Sequence, residues 1–177
     1  MPKNSKDVVI VSALRTVIGK YKGMWAKIEA HNLGRSVIEN ILSQSKVNQS
    51  SIDEVIMGQV LTGGTGQNPA RQAAKGAGIP DEKTAFVINQ VCGSGLRAII
   101  SGYQSILLND SKIIIAGGQE NMSFSNKDNM LQDGLVDAFN NYHMGVTAEN
   151  VAEKCNISRK EQDNFALYSQ AKTQEAI

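Results

Sequence analysis

The residues best suited to chemistry lie in one stretch, Asn89-Gln-Val-Cys-Gly-Ser-Gly-Leu-Arg-Ala98. Before it, Thr84–Ile88 is a short β-rich apolar run that predicts a buried strand. After it, Leu96, Ile99, Ile100, Tyr103, Ile106 and Leu107 recur at spacings of three and four, which predicts a buried helix. Cys92 therefore falls at a strand-to-helix turn, flanked by Gly93 and Gly95. A helix N-terminus offers unpaired N–H groups and the positive end of the macrodipole, both of which favour a thiolate over a thiol. The two glycines let a substrate carbonyl approach the backbone, whose N–H groups can bind a developing oxyanion. That is the chemistry of a nucleophile in acyl transfer. A buried, inert cysteine is the other reading, and the spacing alone leaves both open.

Other reactive side chains carry weaker signals. His143 lies in a polar stretch, where a single histidine is most often simply solvated. His31 opens a helical pattern with no motif around it and reads as structural. Cys155 falls on a helical pattern and reads as a core cysteine. Gly63-Gly-Thr-Gly66 lacks the Gly-Lys-Ser/Thr ending of a phosphate loop and the spacing of a dinucleotide fingerprint, so it reads as a mobile loop.

The elements that position these residues follow from pattern. Residues 1–6 read as a loose polar terminus. Val8-Val-Ile-Val-Ser12 predicts a strand covered on both faces. His31–Leu42 has helical spacing through Leu33, Val37, Ile38 and Ile41. Glu54–Leu61 predicts a second strand. Pro69 opens a helix that runs to about Ala77, with Gly78 as its stop. Lys112–Ala116 predicts a fourth strand, after Thr84–Ile88. Ser123–Asp133 is polar without a clear period. Residues 147–154 and 159–177 predict helices, the second opened by a capping box of Ser158 and Glu161. Strands alternating with helices argue for an α/β fold with a mostly parallel sheet, whose ligands bind at the carboxyl ends of the strands. Cys92 falls at such an end.

Composition narrows the function classes. The chain has 177 residues, enough for a sizeable core, and 41% are hydrophobic. Its 18 basic and 17 acidic residues are interspersed and leave a formal charge of +1, which gives no electrostatic argument for nucleic acid or an anionic membrane. No apolar run reaches membrane-spanning length. The 2 cysteines form neither a CxxC nor a metal-ligand spacing. No metal or resident cofactor is expected, and a reduced, cytoplasmic setting is.

Beyond these local readings, Asn89-Gln-Val-Cys-Gly-Ser-Gly95 resembles the nucleophile motif of thiolases, especially biosynthetic acetyl-CoA acetyltransferases. Arg15-Thr-Val-Ile-Gly19, Gly66-Gln-Asn-Pro-Ala-Arg71, Ala116-Gly-Gly-Gln-Glu-Asn-Met-Ser123 and Tyr142-His-Met-Gly-Val-Thr-Ala-Glu-Asn150 agree in the expected order. The resemblance implies a thiolase-like N-terminal half over residues 1–177, with a shortened loop region around 123–145. It implies that Cys92 carries an acyl-thioester, that Gly93 and Gly95 support the turn and oxyanion, and that His143 and Met144 contact the pantetheine arm and acyl pocket. Acetyl-CoA or another acyl-CoA is then the substrate. Two acetyl-CoA condense to acetoacetyl-CoA, or thiolysis runs the reverse.

The resemblance also sets a limit. The family's activating histidine lies in a His-Pro motif of its second half, and a further cysteine in a Cys-x-Gly motif supplies the other acid/base. Neither motif occurs here, because His31 is followed by Asn32, His143 by Met144 and Cys155 by Asn156. Pairing with a C-terminal half, or a homodimer, is therefore the expected assembly. The competing expectation is a non-catalytic thiolase remnant or interaction module. A thiol hydrolase or redox protein would need a nearby histidine or a resolving cysteine at a recognisable spacing. A decarboxylating relative fits the Gly117–Ser123 and Tyr142–Gly145 segments less well.

Overall fold

The computed structural model describes residues 7–177, so the expectation for residues 1–6 lies outside the described residues. The chain divides into two compact units, Met1–Gly134 and Leu135–Ile177.

The first unit is built on a parallel three-stranded sheet of β1 (Glu54–Gly58), β2 (Thr84–Ile88) and β3 (Ile114–Gly118), in the order β2-β1-β3. Its helices are α1 (Ala30–Ser45), α2 (Pro69–Gly76), α3 (Ser94–Leu107) and α4 (Lys127–Gly134). Val55 and Met57 of β1 join Ile38 and Leu42 of α1 and Ala70, Ala73 and Ala74 of α2 in one buried cluster. Alternate residues point the other way, since successive side chains of a strand take opposite faces. Gly58 and Gly118 there approach the start of α3, and Gly102 of α3 approaches Ile114 and Ala116. Helices thus cover both faces, as expected of an α/β fold. Ile38, Ile52, Val55, Ile56 and Ile79 are almost fully buried, each contributing about 2 kcal/mol through removal of apolar surface from water.

Local chemistry sets the helix ends. Pro69 stands in the first turn of α2, where its missing N–H costs nothing, and the Asn68 side chain accepts the Arg71 N–H at 3.1 Å. Gly78 follows at φ +82°, a conformation open to glycine. Lys46, at φ 56°, closes α1.

Four expectations for the first unit are corrected. Val8–Ser12 belongs to no strand, and Val9, Ile10 and Val11 are exposed. A β-branched apolar run needs a ladder partner to become a strand, and the sheet supplies it none. Thr84–Ile88 is a strand, but an edge strand that is only partly buried: Thr84 and Phe86 are exposed, while Ala85 and Val87 pack against the core. The third correction concerns α3, whose inward residues are Ser94, Ala98 and Gly102, while Leu96, Ile99, Ile100, Tyr103 and Leu107 are exposed. Small residues let this helix lie close on the sheet: a Cβ on Gly102 would sit 3.2 Å from Ile114 Cγ2. Finally, part of the polar stretch 123–133 forms α4, where Met130 supplies a single buried anchor.

The second unit holds α5 (Met144–Lys154) and α6 (Arg159–Ala176). The capping box of α6 is present: the Ser158 hydroxyl accepts the Glu161 N–H and the Glu161 carboxylate accepts the Ser158 N–H. Cys155 is exposed, contrary to the core reading, because it follows the last turn of α5 and no buried residue of that helix covers it.

Candidate active site

Cys92 is exposed, two residues before the first residue of α3. The chain leaves β2 at Ile88 and turns through Asn89–Gly93. The Asn89 side chain accepts the Val91 N–H at 2.9 Å, Gly93 N–H donates to the Gln90 carbonyl at 3.0 Å, and Ser94 N–H donates to the Val91 carbonyl at 3.1 Å. Neither Gly93 nor Gly95 has positive φ; the left-handed residue of the turn is Val91, at φ 49°. A side chain at Gly93 would lie 3.3 Å from the Gln90 carbonyl oxygen, whereas one at Gly95 would meet nothing within 4 Å.

The electrostatics of this turn come from the helix start. The first turn of an α-helix leaves N–H groups without intrahelical partners. Here the N–H groups of Gly95 and Leu96 have no acceptor among the described residues. They and the dipole of α3 make the start of this helix a favourable place for negative charge.

The Ala116–Ser123 segment proves to be a junction. Gln119 Nε2 donates to Gln59 Oε1 at 2.9 Å, tying the ends of β3 and β1. The Glu120 carboxylate accepts the Val60 N–H at 2.7 Å and the Leu61 N–H at 3.3 Å. Burial raises the Glu120 carboxyl above its ordinary value, and the N–H bonds from Val60, Leu61 and Asn121 oppose that shift. Asn121 Nδ2 donates to the carbonyls of Trp25 and Ile28, and Ser123 Oγ accepts the Lys22 N–H. Polar residues at consecutive positions do not show in a sequence which backbone groups they will meet. Their clustering just after an apolar run was the available signal.

The Gly66–Arg71 segment is likewise structural support. Gln72 Nε2 donates to the Thr65 and Gln67 carbonyls, and the Arg71 guanidinium donates to the Lys83 and Asp81 carbonyls.

His143 and Met144 lie in the second unit. His143 caps α5, its Nδ1 accepting the Gly145 N–H at 3.0 Å, and Met144 is partly exposed. His31 starts α1 with Nε2 3.4 Å from the Glu29 carboxylate, while its Nδ1 is buried without a partner among the described residues. Among the described residues, no group of three or more His, Cys, Asp and Glu is placed to hold a metal ion. No described helix is long and apolar enough to cross a membrane.

Comparison with known proteins adds ancestry to this geometry. The family model for the thiolase N-terminal domain matches residues 8–129 and 125–177. The chain is 48% identical over 189 residues to an acetyl-CoA acetyltransferase of Rhizobium meliloti, covering 98% of this chain and 48% of that protein. It is 50% identical over 189 residues to the acetyl-CoA acetyltransferase of Pseudomonas aeruginosa, covering 97% and 48%. A cytosolic acetyl-CoA acetyltransferase of Rattus norvegicus is 46% identical over 192 residues, covering 99% and 48%. The chain spans about half the length of the curated relatives it matches.

Proposed function

The chain belongs to the thiolase family, and from that premise we propose that it serves acetyl transfer between coenzyme A thioesters, with Cys92 as the acyl carrier. The observation that carries this reading is the exposed thiol of Cys92 at the start of α3, inside the matched thiolase N-terminal domain. The Cys92 thiolate attacks the acetyl-CoA carbonyl, the new C–S bond forms, and coenzyme A leaves as a thiolate that takes up a proton. A second acetyl-CoA, deprotonated at its α-carbon, then attacks the Cys92 thioester. This C–C bond formation gives acetoacetyl-CoA and returns the Cys92 thiolate. Thiolysis is the same path reversed.

In this reading the unpaired N–H groups near Cys92 face the oxyanion, Gly93 and Gly95 leave room for the carbonyl, and His143 and Met144 contact the pantetheine arm. The remaining acid and base belong, in this reading, to a C-terminal half of the family, and pairing with such a half, or a homodimer, is the expected assembly. Removing a base from such a constellation costs orders of magnitude in rate, so the chain alone is expected to be slow. The family match in two stretches meeting at 125–129 supports a shortened loop region. The name of the rat relative supports a cytoplasmic setting.

The test is the intact mass of the purified chain before and after acetyl-CoA. An acetyl adduct mapped to Cys92, lost in Cys92→Ala and kept in Cys155→Ala, is expected. Equal labelling of the two variants overturns the assignment of Cys92.

A second reading, a non-catalytic interaction module, is favoured by the exposed apolar face of α3. Folded chain that takes no acetyl group yet self-associates would support it.

A further inference from the structure

Ser94 Oγ accepts the Gln90 N–H at 2.8 Å and donates to the Val91 carbonyl at 2.6 Å. On the other side of the turn, Asn89 Oδ1 accepts the Val91 N–H at 2.9 Å. Between these bonds stands Val91, a β-branched residue at φ 49°. Side chains of that shape rarely adopt the left-handed region, and they keep it only where surrounding contacts over-determine it. Ser94 is itself held: it is 4% exposed, and Gly58 of β1 lies directly beneath it. The side chains of Asn89 and Ser94 therefore bond both peptide groups of Val91, and the next residue is Cys92.

We infer that Ser94 and Asn89 are positioning residues for Cys92, a two-sided clamp that keeps Val91 left-handed and so holds the thiol at the start of α3. The inference rests on the reading of Cys92 as the nucleophile. If the clamp is released, Val91 relaxes toward the ordinary β or α region. A rotation at Val91 moves Cys92 relative to the start of α3. The loss then falls on the reactivity of Cys92 rather than on the core. Neither side chain touches a reacting atom in this arrangement.

The test uses iodoacetamide, which alkylates a thiolate and releases iodide, and so needs no acetyl-CoA. Its outcome is independent of whether acetyl transfer occurs. The rate at Cys92 is read against that at exposed Cys155 in the same molecule, by peptide mass. Asn89→Ala and Ser94→Ala are each made alone and with Val91→Gly, on protein shown by circular dichroism to be folded. Each alanine variant is expected to lower the Cys92-to-Cys155 ratio by about three- to tenfold, the scale of one net hydrogen bond. In the Val91→Gly background, where positive φ carries no steric penalty, the same changes should lower it by less than about twofold. An unchanged ratio in the single variants, or a loss of equal size with Gly at 91, overturns the inference and leaves both side chains as packing. Should Ser94→Ala not fold, Asn89→Ala, at an exposed position, decides by the same ratio.

Discussion

Gly58 of β1 and Ser94 of α3 touch so closely that no side chain fits between them. A Cβ on Gly58 would lie 2.7 Å from Ser94 Cβ, 2.5 Å from the Ser94 carbonyl carbon and 2.6 Å from the Gly95 nitrogen. Two of those atoms are backbone, so relief requires the start of α3 to move. Gly58→Ala should destabilise the chain by about 2 kcal/mol or more, the scale of overpacking. Gly117→Ala, with nothing within 4 Å of the added Cβ, should stay within about 0.5 kcal/mol of the parent. Urea unfolding of both variants checks this, and equal costs would refute the contact.

Glu120 gives a pH dependence. Burial raises its folded-state value, so the folded chain holds the proton more tightly than the unfolded one. Stability tied to that proton is fully present below the unfolded value and is lost as pH rises through the raised folded value. Glu120→Gln has no such proton. Its stability relative to the parent should therefore increase as pH rises through that window. Urea midpoints measured from pH 4 upward test the sign, and a flat difference would contradict it.

Asp53 runs the other way. Its carboxylate accepts the Lys112 N–H at 2.7 Å and the Ile113 N–H at 3.1 Å, and those bonds, with Lys83, hold its value low. Its contribution is present above the unfolded value and is lost as pH falls through the lowered folded value. Asp53→Ala should cost about 2 kcal/mol at neutral pH, because two N–H groups at the entry to β3 lose a charged acceptor. The gap between parent and variant should close in acid. A gap that persists there would count against this account.

Asn121 makes a spectroscopic prediction. Its side-chain amide bonds the Trp25 carbonyl at 2.7 Å and the Ile28 carbonyl at 2.6 Å. Trp25 is the single tryptophan of the chain. Asn121→Ala should shift Trp25 emission to longer wavelength and make it more accessible to acrylamide. An unchanged spectrum would show that the Trp25 segment holds without the bond.

Where signals are local, the sequence alone was enough. Pro69 and Gly78 bracket α2, Ser158 and Glu161 open α6, and Cys92 stands at a strand-to-helix turn, because caps and turns depend on residues within a few positions of one another. The thiolase resemblance was equally legible, in ordered motifs. Tertiary structure alone decided what needs a distant partner. Val8–Ser12 has the composition of a strand but finds no ladder in the sheet. Helix α3 is apolar around most of its circumference, so periodicity could not choose its inner face; the small residues Ala98 and Gly102 did, by allowing the closest approach to β3 and β1. The left-handed Val91 was also invisible, since valine disfavours that conformation and only the bonds from Asn89 and Ser94 hold it there.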